Sequence, residues 1–314
     1  MIRLELDGDN RAGIGAEKQP ERTACFSAGT YYGSMRDTGA YGLFVQANEL
    51  ASMGVFKASV EAQISIPADM DKSRINSVRN HMKRAVKKLS EVGFVIEGIK
   101  MQGGVLSALR VPAVRIMAAG TADGKERLGI ARPAAQAGRD ILLAGWIGLE
   151  GMLRIIGERE HELRERFTPA FIRQMKALDS EVCGLGKIRA AQETGISLVR
   201  QITEGGILAA LWRLSEETRL GLSLDMKKIA IRQETIEVCE HFRLNPYQLT
   251  SGGSFLMAAE HGEAAAERLR QKGMAAVVIG QLTDSNDKVI HNGEDVRYID
   301  RPGADELMKV FGVG

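Results

Sequence analysis

Cysteine is scarce in this chain: Cys25, Cys183 and Cys239 are the only three in 314 residues, odd in number and far apart. None belongs to a CxxC pair, and the five His residues are equally scattered. A Cys/His zinc site is therefore not expected, and the reading is three reduced, buried thiols in a cytoplasmic protein. Charge of one sign is lacking too. The formal net charge of +2 supplies no field that would gather nucleic acid or an anionic membrane, and neither is expected as a partner. No apolar run approaches the roughly 20 residues that cross a bilayer. The opening MIRLELDGDN is charged almost at once and has no signal-peptide core. Internal repeats, low-complexity tracts, a Walker lysine motif and a Rossmann glycine fingerprint are all absent. What remains is an ordinary globular composition, 44% apolar and 26% charged, over a length that suits two domains or one large one.

Residues 1–37 are rich in Gly and polar side chains: LDGDNRAGIGAEK reads as a loop, with ACFSAGTYY as a strand behind it. From Thr38, Ala40, Leu43, Phe44, Ala47, Leu50 and Ala51 fall on one helical face, and Gly54 is the stop. Val60, Ala62, Ile64 and Ile66 alternate as in a half-buried strand. Ser73 to Gly93 is an amphipathic helix with Ile75, Val78, Met82, Val86 and Leu89 inward. Its basic outer face, including Lys83 and Lys87, is solvated or a partner surface. FVIEGI and PAVRIMAAG are strands joined by a Gly-Gly turn in KMQGGVLSALRV. TADGKERLGIARPAAQAG, charged and rich in Gly and Pro, divides the chain into units 1–130 and 131–314. The second unit reads as the strand DILLAGWIG, then helices over Leu149 to Glu165 and Pro169 to Thr194. ISLVRQI, LGLSLDM, SGGSFLMAA and AAVVIGQLT are its further strands. IRQETIEVCEHF and GEAAAERLRQKG are its further helices, and a hairpin with a type I′ turn is expected around Asn292-Gly293.

The stretch VRQITEGGILAALWRLSEETRLG stands apart. Thr203 is placed to cap a helix whose first turn holds Gly205 and Gly206, while Ile207, Leu208, Leu211, Trp212 and Leu214 recur at helical spacing. Two glycines in a first turn cost roughly 1 kcal/mol each relative to Ala. They serve either close packing or the approach of a phosphate to N–H groups at the positive end of the helix.

Four segments together resemble one family. VQANELASMG is similar to the V-N-x-N-D-[IL]-x-x-M-G segment of the aminoimidazole ribonucleotide (AIR) synthase superfamily, and GRDILLAGWIGLEG resembles the opening of that superfamily's C-terminal domain. VRQITEGGILAALWRLSEETRLGLSLD resembles its Gly-Gly helix start, written H-I-T-G-G-G in AIR synthase and D-P-T-R-G-G in the hydrogenase maturation dehydratase. IRQETIEVCEHFRLNPYQLTSGGSFLMAA is similar to the later part of that dehydratase. The likeness runs from about Gly39 to Asp300. It implies a PurM-like two-domain α+β fold: an N-terminal α+β domain that dimerises into a β-barrel, and a C-terminal α/β domain beside it. It also implies ATP at the cleft between domains, Mg²⁺ held by acidic residues, and transfer of the γ-phosphoryl to an amide, phosphate or similar oxygen.

Phosphoryl transfer needs hard oxygen ligands for the metal and backbone or cationic groups on the phosphates. By the resemblance, the first acidic loop corresponds to GIGAEK, leaving Glu17, or to DGDN, leaving Asp7 and Asp9. The family's N-D pair is Asn48-Glu49 here, and its G-G-D-T turn falls in EGIKMQGG, with Lys100 and no Asp. Gln201 stands where relatives carry His or Asp, and Glu204 where the dehydratase has Arg. The expected set is thus Glu17, Glu49 and Glu204 on the metal, Asn48, Thr203, Gly205 and Gly206 on the nucleotide, and Gln201 and Lys100 in catalysis. Gly252-Gly253 reads as a tight turn. The dehydratase works through a C-terminal Cys, and no Cys follows Cys239 before the final MKVFGVG. The expectation is therefore an ATP-dependent enzyme phosphorylating an oxygen of a small molecule or carrier-bound group. The alternative is a dimeric, non-catalytic accessory relative; in either case a maturation protein is a possible partner class.

Overall fold

The computed structural model describes residues 22–123 and 136–312. The Glu17, Asp7 and Asp9 readings, and the 130/131 boundary, lie outside the described residues.

The first unit is a four-stranded sheet backed by two helices. Strands β1 (Arg22–Tyr32), β2 (Lys57–Ile66), β3 (Val95–Val105) and β4 (Ala113–Asp123) lie in the order β1-β4-β2-β3. The β2–β3 pair is parallel and the others antiparallel. The alternation read from β2 holds: Ala58, Val60, Ala62, Ile64 and Ile66 are buried, while Lys57, Ser59, Glu61 and Gln63 are exposed. Helices α1 (Thr38–Ser52) and α2 (Ser73–Glu91) cover the buried face. No described element covers the other face, where Phe26 is 50% and Met117 42% exposed. Gly103-Gly104 is not a turn: it continues strand β3, and the chain turns after Val105.

In the second unit a seven-stranded sheet runs in the order β11-β10-β7-β9-β5-β8-β6. These are β5 (Asp140–Ala144), β6 (Ile196–Gln201), β7 (Gly221–Asp225), β8 (Phe255–Ala259), β9 (Ala276–Thr283), β10 (Lys288–Asn292) and β11 (Asp295–Tyr298). Its helices are α3 (Leu149–Leu163), α4 (Pro169–Lys176), α5 (Leu185–Gln192), α6 (Gly206–Thr218), α7 (Gln233–Phe242), α8 (Gly262–Gln271) and α9 (Leu307–Phe311). Alternate residues of β5 feed two cores. Ile141 and Leu143 pack with Ile207, Leu211 and Leu214 of α6, while Leu142 and Ala144 join a core shared with α3, α5, α8 and the first unit. Pro169 to Thr194 is not one helix: α4 passes through a 3-10 turn and breaks at Cys183-Gly184 before α5. The hairpin also differs. Asn292 pairs with Asp295, so its loop is Gly293-Glu294, and only Gly293 has positive φ, which excludes a type I′ turn. Cys239 is buried, and Cys25 and Cys183 are partly buried. Among the described residues, no helix is long and apolar enough to cross a membrane.

Candidate functional site at the domain junction

Helix α1 is where the two units meet. Fourteen of its 15 residues are buried, and Glu49 is the exception. A helix that is apolar all round must be covered on all sides: the N-terminal sheet takes one side, and β6, α5 and the turn before α5 take the other. Asn48 and Glu49 therefore point at the second unit.

Asn48 is fully buried and fully bonded. Its Nδ2 donates to the Val182 carbonyl (2.8 Å) and to Gln201 Oε1 (2.9 Å), and its Oδ1 accepts from the Gly184 N–H (2.9 Å). Gln201, at the end of β6, is the hub. Its Nε2 donates to the Val45 carbonyl (3.0 Å) and to Glu49 Oε2 (3.3 Å), and its Oε1 also accepts from the Gly253 N–H (3.2 Å). The other Glu49 oxygen lies 3.9 Å from Arg200, which also ion-pairs with Glu217 of α6. Burial pushes the Glu49 carboxyl up from its ordinary range, against the pull of Arg200 and Gln201. Burial likewise lowers Arg213, which faces Glu217, Glu49 and Glu204.

The glycine pair at α6 behaves differently from the sequence expectation. Thr203 is not the N-cap. Gly205 is, at φ +81°, and Gly206 follows at φ +64°. A Cβ on Gly206 would stand 2.5 Å from the Tyr247 carbonyl oxygen, so close packing against residues 247–249 explains this glycine. Thr203 instead accepts the Gly206 N–H at its carbonyl (3.0 Å). The Gly205 N–H donates to Asp305 Oδ2 at 2.7 Å. Glu204 is exposed beside them, its carbonyl receiving Arg213 (3.0 Å). Gly252-Gly253 is the expected tight turn, with Gly253 at φ +86°.

The structure thus brings Asn48, Glu49, Gln201 and the Gly253 amide into one hydrogen-bonded group and leaves Glu204 exposed, its carbonyl bonded to Arg213. Lys100 is not among them. It lies on the exposed face of the first sheet, 3.8 Å from Glu61, its partner in the β2–β3 register. Sequence reasoning missed Arg200, Asp305 and Glu150. Glu150 is wholly buried, paired with Arg154 (3.1 Å) and receiving the Thr250 hydroxyl (2.6 Å). The charges of Arg200 and Glu150 inside otherwise apolar runs, LVRQI and IGLEG, were the available signal. A cavity of about 980 Å³ opens elsewhere, beside Phe26, Phe56, Lys57, Glu97 and Arg189, and none of the sequence-predicted residues lines it.

Residues 136–292, half the chain, match the family described as AIR synthase related protein, C-terminal domain. A putative hydrogenase expression/formation protein of Methanocaldococcus jannaschii is 26% identical over 282 residues, 87% of this chain and 79% of that one. Two solved structures share the fold at low identity. The hydrogenase maturation protein HypE in complex with ATP superposes with a TM-score of 0.67 at 16% identity, covering 97% of this chain and 90% of that one. A HypE–HypF complex gives a TM-score of 0.63 at 18% identity, covering 90% of each chain. The chain belongs to the AIR synthase related proteins and is a PurM-like relative of HypE.

Proposed function

We propose that this protein binds ATP at the α1–β6–α6 junction and passes its γ-phosphoryl to an oxygen of a small molecule or carrier-bound group. The acceptor oxygen bonds to the γ-phosphorus as the β–γ bridging bond breaks, releasing ADP. One observation carries the reading: Asn48, Glu49, Gln201 and the Gly253 amide, from three distant parts of the sequence, meet in one hydrogen-bonded group, and the Gly205 N–H opens α6 just after Gln201. The ATP complex of HypE supports nucleotide binding, and the HypE–HypF complex supports a maturation protein as partner. Phe26 and Met117 on the uncovered sheet face support a homodimer.

The Mg²⁺ expectation fits the donor chemistry less well. Among the described residues no three His, Cys, Asp or Glu side chains come together to hold a metal ion. Glu49, the central candidate, already has one oxygen on Gln201 and the other facing Arg200. These carboxylates do not form a ready cage, and no step is assigned to a metal. The full use of Asn48 in bridging the units favours a second reading, an accessory protein that binds nucleotide without turning it over.

Calorimetric titration with ATP, followed by an assay for ADP in the presence of a maturation protein of the HypF type, separates these. Binding with ADP release is the expected result. Binding without release supports the accessory reading, and no binding at millimolar ATP overturns both.

A further inference from the structure

The start of α6 already has an anion. Asp305, 3% exposed, sits against it and accepts the Gly205 N–H (2.7 Å) at Oδ2 and the Leu307 N–H (2.9 Å) at Oδ1; the Thr250 backbone bonds it as well. Asp305 is not an isolated cap, because it opens an arm that runs from the start of α6 across residues 245–248 to α3. Glu306 accepts the Asn245 N–H (3.3 Å) and donates its own N–H to the Gln248 carbonyl (3.2 Å). Leu307 and Val310 of α9 are buried, Arg159 donates to the Val310 carbonyl (2.8 Å), and Arg154 lies 5.7 Å over the Phe311 ring.

A carboxylate and a phosphate oxygen want the same donors, and one N–H cannot serve both fully. Holding the carboxylate here is costly. Burial outweighs its three N–H partners, and the wholly buried Glu150 nearby adds a like charge.

We propose that the arm 305–311 is an internal competitor of the nucleotide: Asp305 occupies the phosphate position at Gly205, so ATP and the docked arm exclude one another. The proposal rests on the reading that ATP phosphates sit at this junction. It makes the site self-closing when empty and couples nucleotide binding to release of the arm. By linkage, whatever affinity the arm costs ATP, ATP costs the arm in docking.

Two measurements test it on the full chain with ATP as probe. Hydrogen exchange of the wild-type protein should show the Leu307 to Phe311 amides losing protection as ATP saturates. Asp305→Ala, which frees the Gly205 N–H, should bind ATP about tenfold more tightly in calorimetry. If ATP binds both proteins equally and arm protection is unchanged, the competition is wrong while the nucleotide reading stands. If neither protein binds ATP, both fall. If the variant does not fold, the exchange experiment on the wild type alone decides, because an arm that stays protected under saturating ATP overturns the proposal.

Discussion

Asp305 shows how a single buried acid leaves a measurable trace. Desolvation pushes its carboxyl up to about 6 from an ordinary 3.8. A gap of that size corresponds to about 3 kcal/mol between the protonated and ionised forms. Because the folded value is the higher one, the stability that protonation supplies is complete below about pH 4 and is lost as pH rises through 6. Asp305→Asn removes the charge but leaves one acceptor oxygen for two donors, since the Gly205 N–H bonds Oδ2 and the Leu307 N–H bonds Oδ1, so the variant gives up one of these bonds at every pH. Urea denaturation should find the stability of the variant relative to the wild type rising by up to about 3 kcal/mol between about pH 4 and pH 7.5. A difference that does not change with pH would show that the carboxylate is not desolvated. Gly206 gives the opposite kind of test. Its φ of +64° and the Tyr247 carbonyl where a Cβ would stand predict that Gly206→Ala lowers stability by at least about 2 kcal/mol, read as a fall in Tm.

At the scale of elements, α1 decides how the two units sit together, and Asn48 is its tightest link. Asn48→Ala deletes three hydrogen bonds and leaves the Gly184 N–H, the Val182 carbonyl and part of Gln201 buried without their partner. The expected loss is about 2–4 kcal/mol in denaturant midpoint measurements. A loss under about 1 kcal/mol would mean that water replaces the amide. This link was half legible in the sequence. Periodicity placed α1, α2, β2 and α6, because each carries enough apolar residues to set a phase. The resemblance singled out Asn48 for the nucleotide, Glu49 for the metal and Gln201 for catalysis; in the structure they also bond one another and backbone 134 and 156 residues away. Spacing along a chain cannot report such partners. The same limit hid Asp305, one of two adjacent acids in an aperiodic tail. It also misread Gly103-Gly104, since a glycine pair in an exposed edge strand looks like a turn when neighbouring strands are unknown. The break at Cys183-Gly184 was missed for a related reason: the apolar residues on either side keep helical spacing across it.

For the whole molecule, the open face of the first sheet is where the proposed dimer would form. Sheets are stable in water when one face is polar or both are covered. Here the uncovered face mixes Lys57, Ser59, Glu61 and Gln63 of β2 with Phe26 of β1 and Met117 of β4, and β1 pairs with β4 to bring their exposed side chains onto the same surface. A second copy laid on this face would bury both apolar residues, each such side chain contributing about 1.5–3 kcal/mol when fully removed from water. The strands in the middle of the second sheet are packed on both faces, on α6 and on α3, α5 and α8, and its exposed apolar side chains, Val296 and Tyr298, lie on the edge strand β11. Met117→Glu should therefore convert a dimer into monomers in sedimentation velocity, because a buried carboxylate without a partner costs more than the lost contact. The protomer should keep its fold, as Met117 is 42% exposed in the single chain. If the wild type sediments as a monomer at tens of micromolar, this face is not a self-association surface. If the variant remains dimeric, the contact lies elsewhere on the molecule.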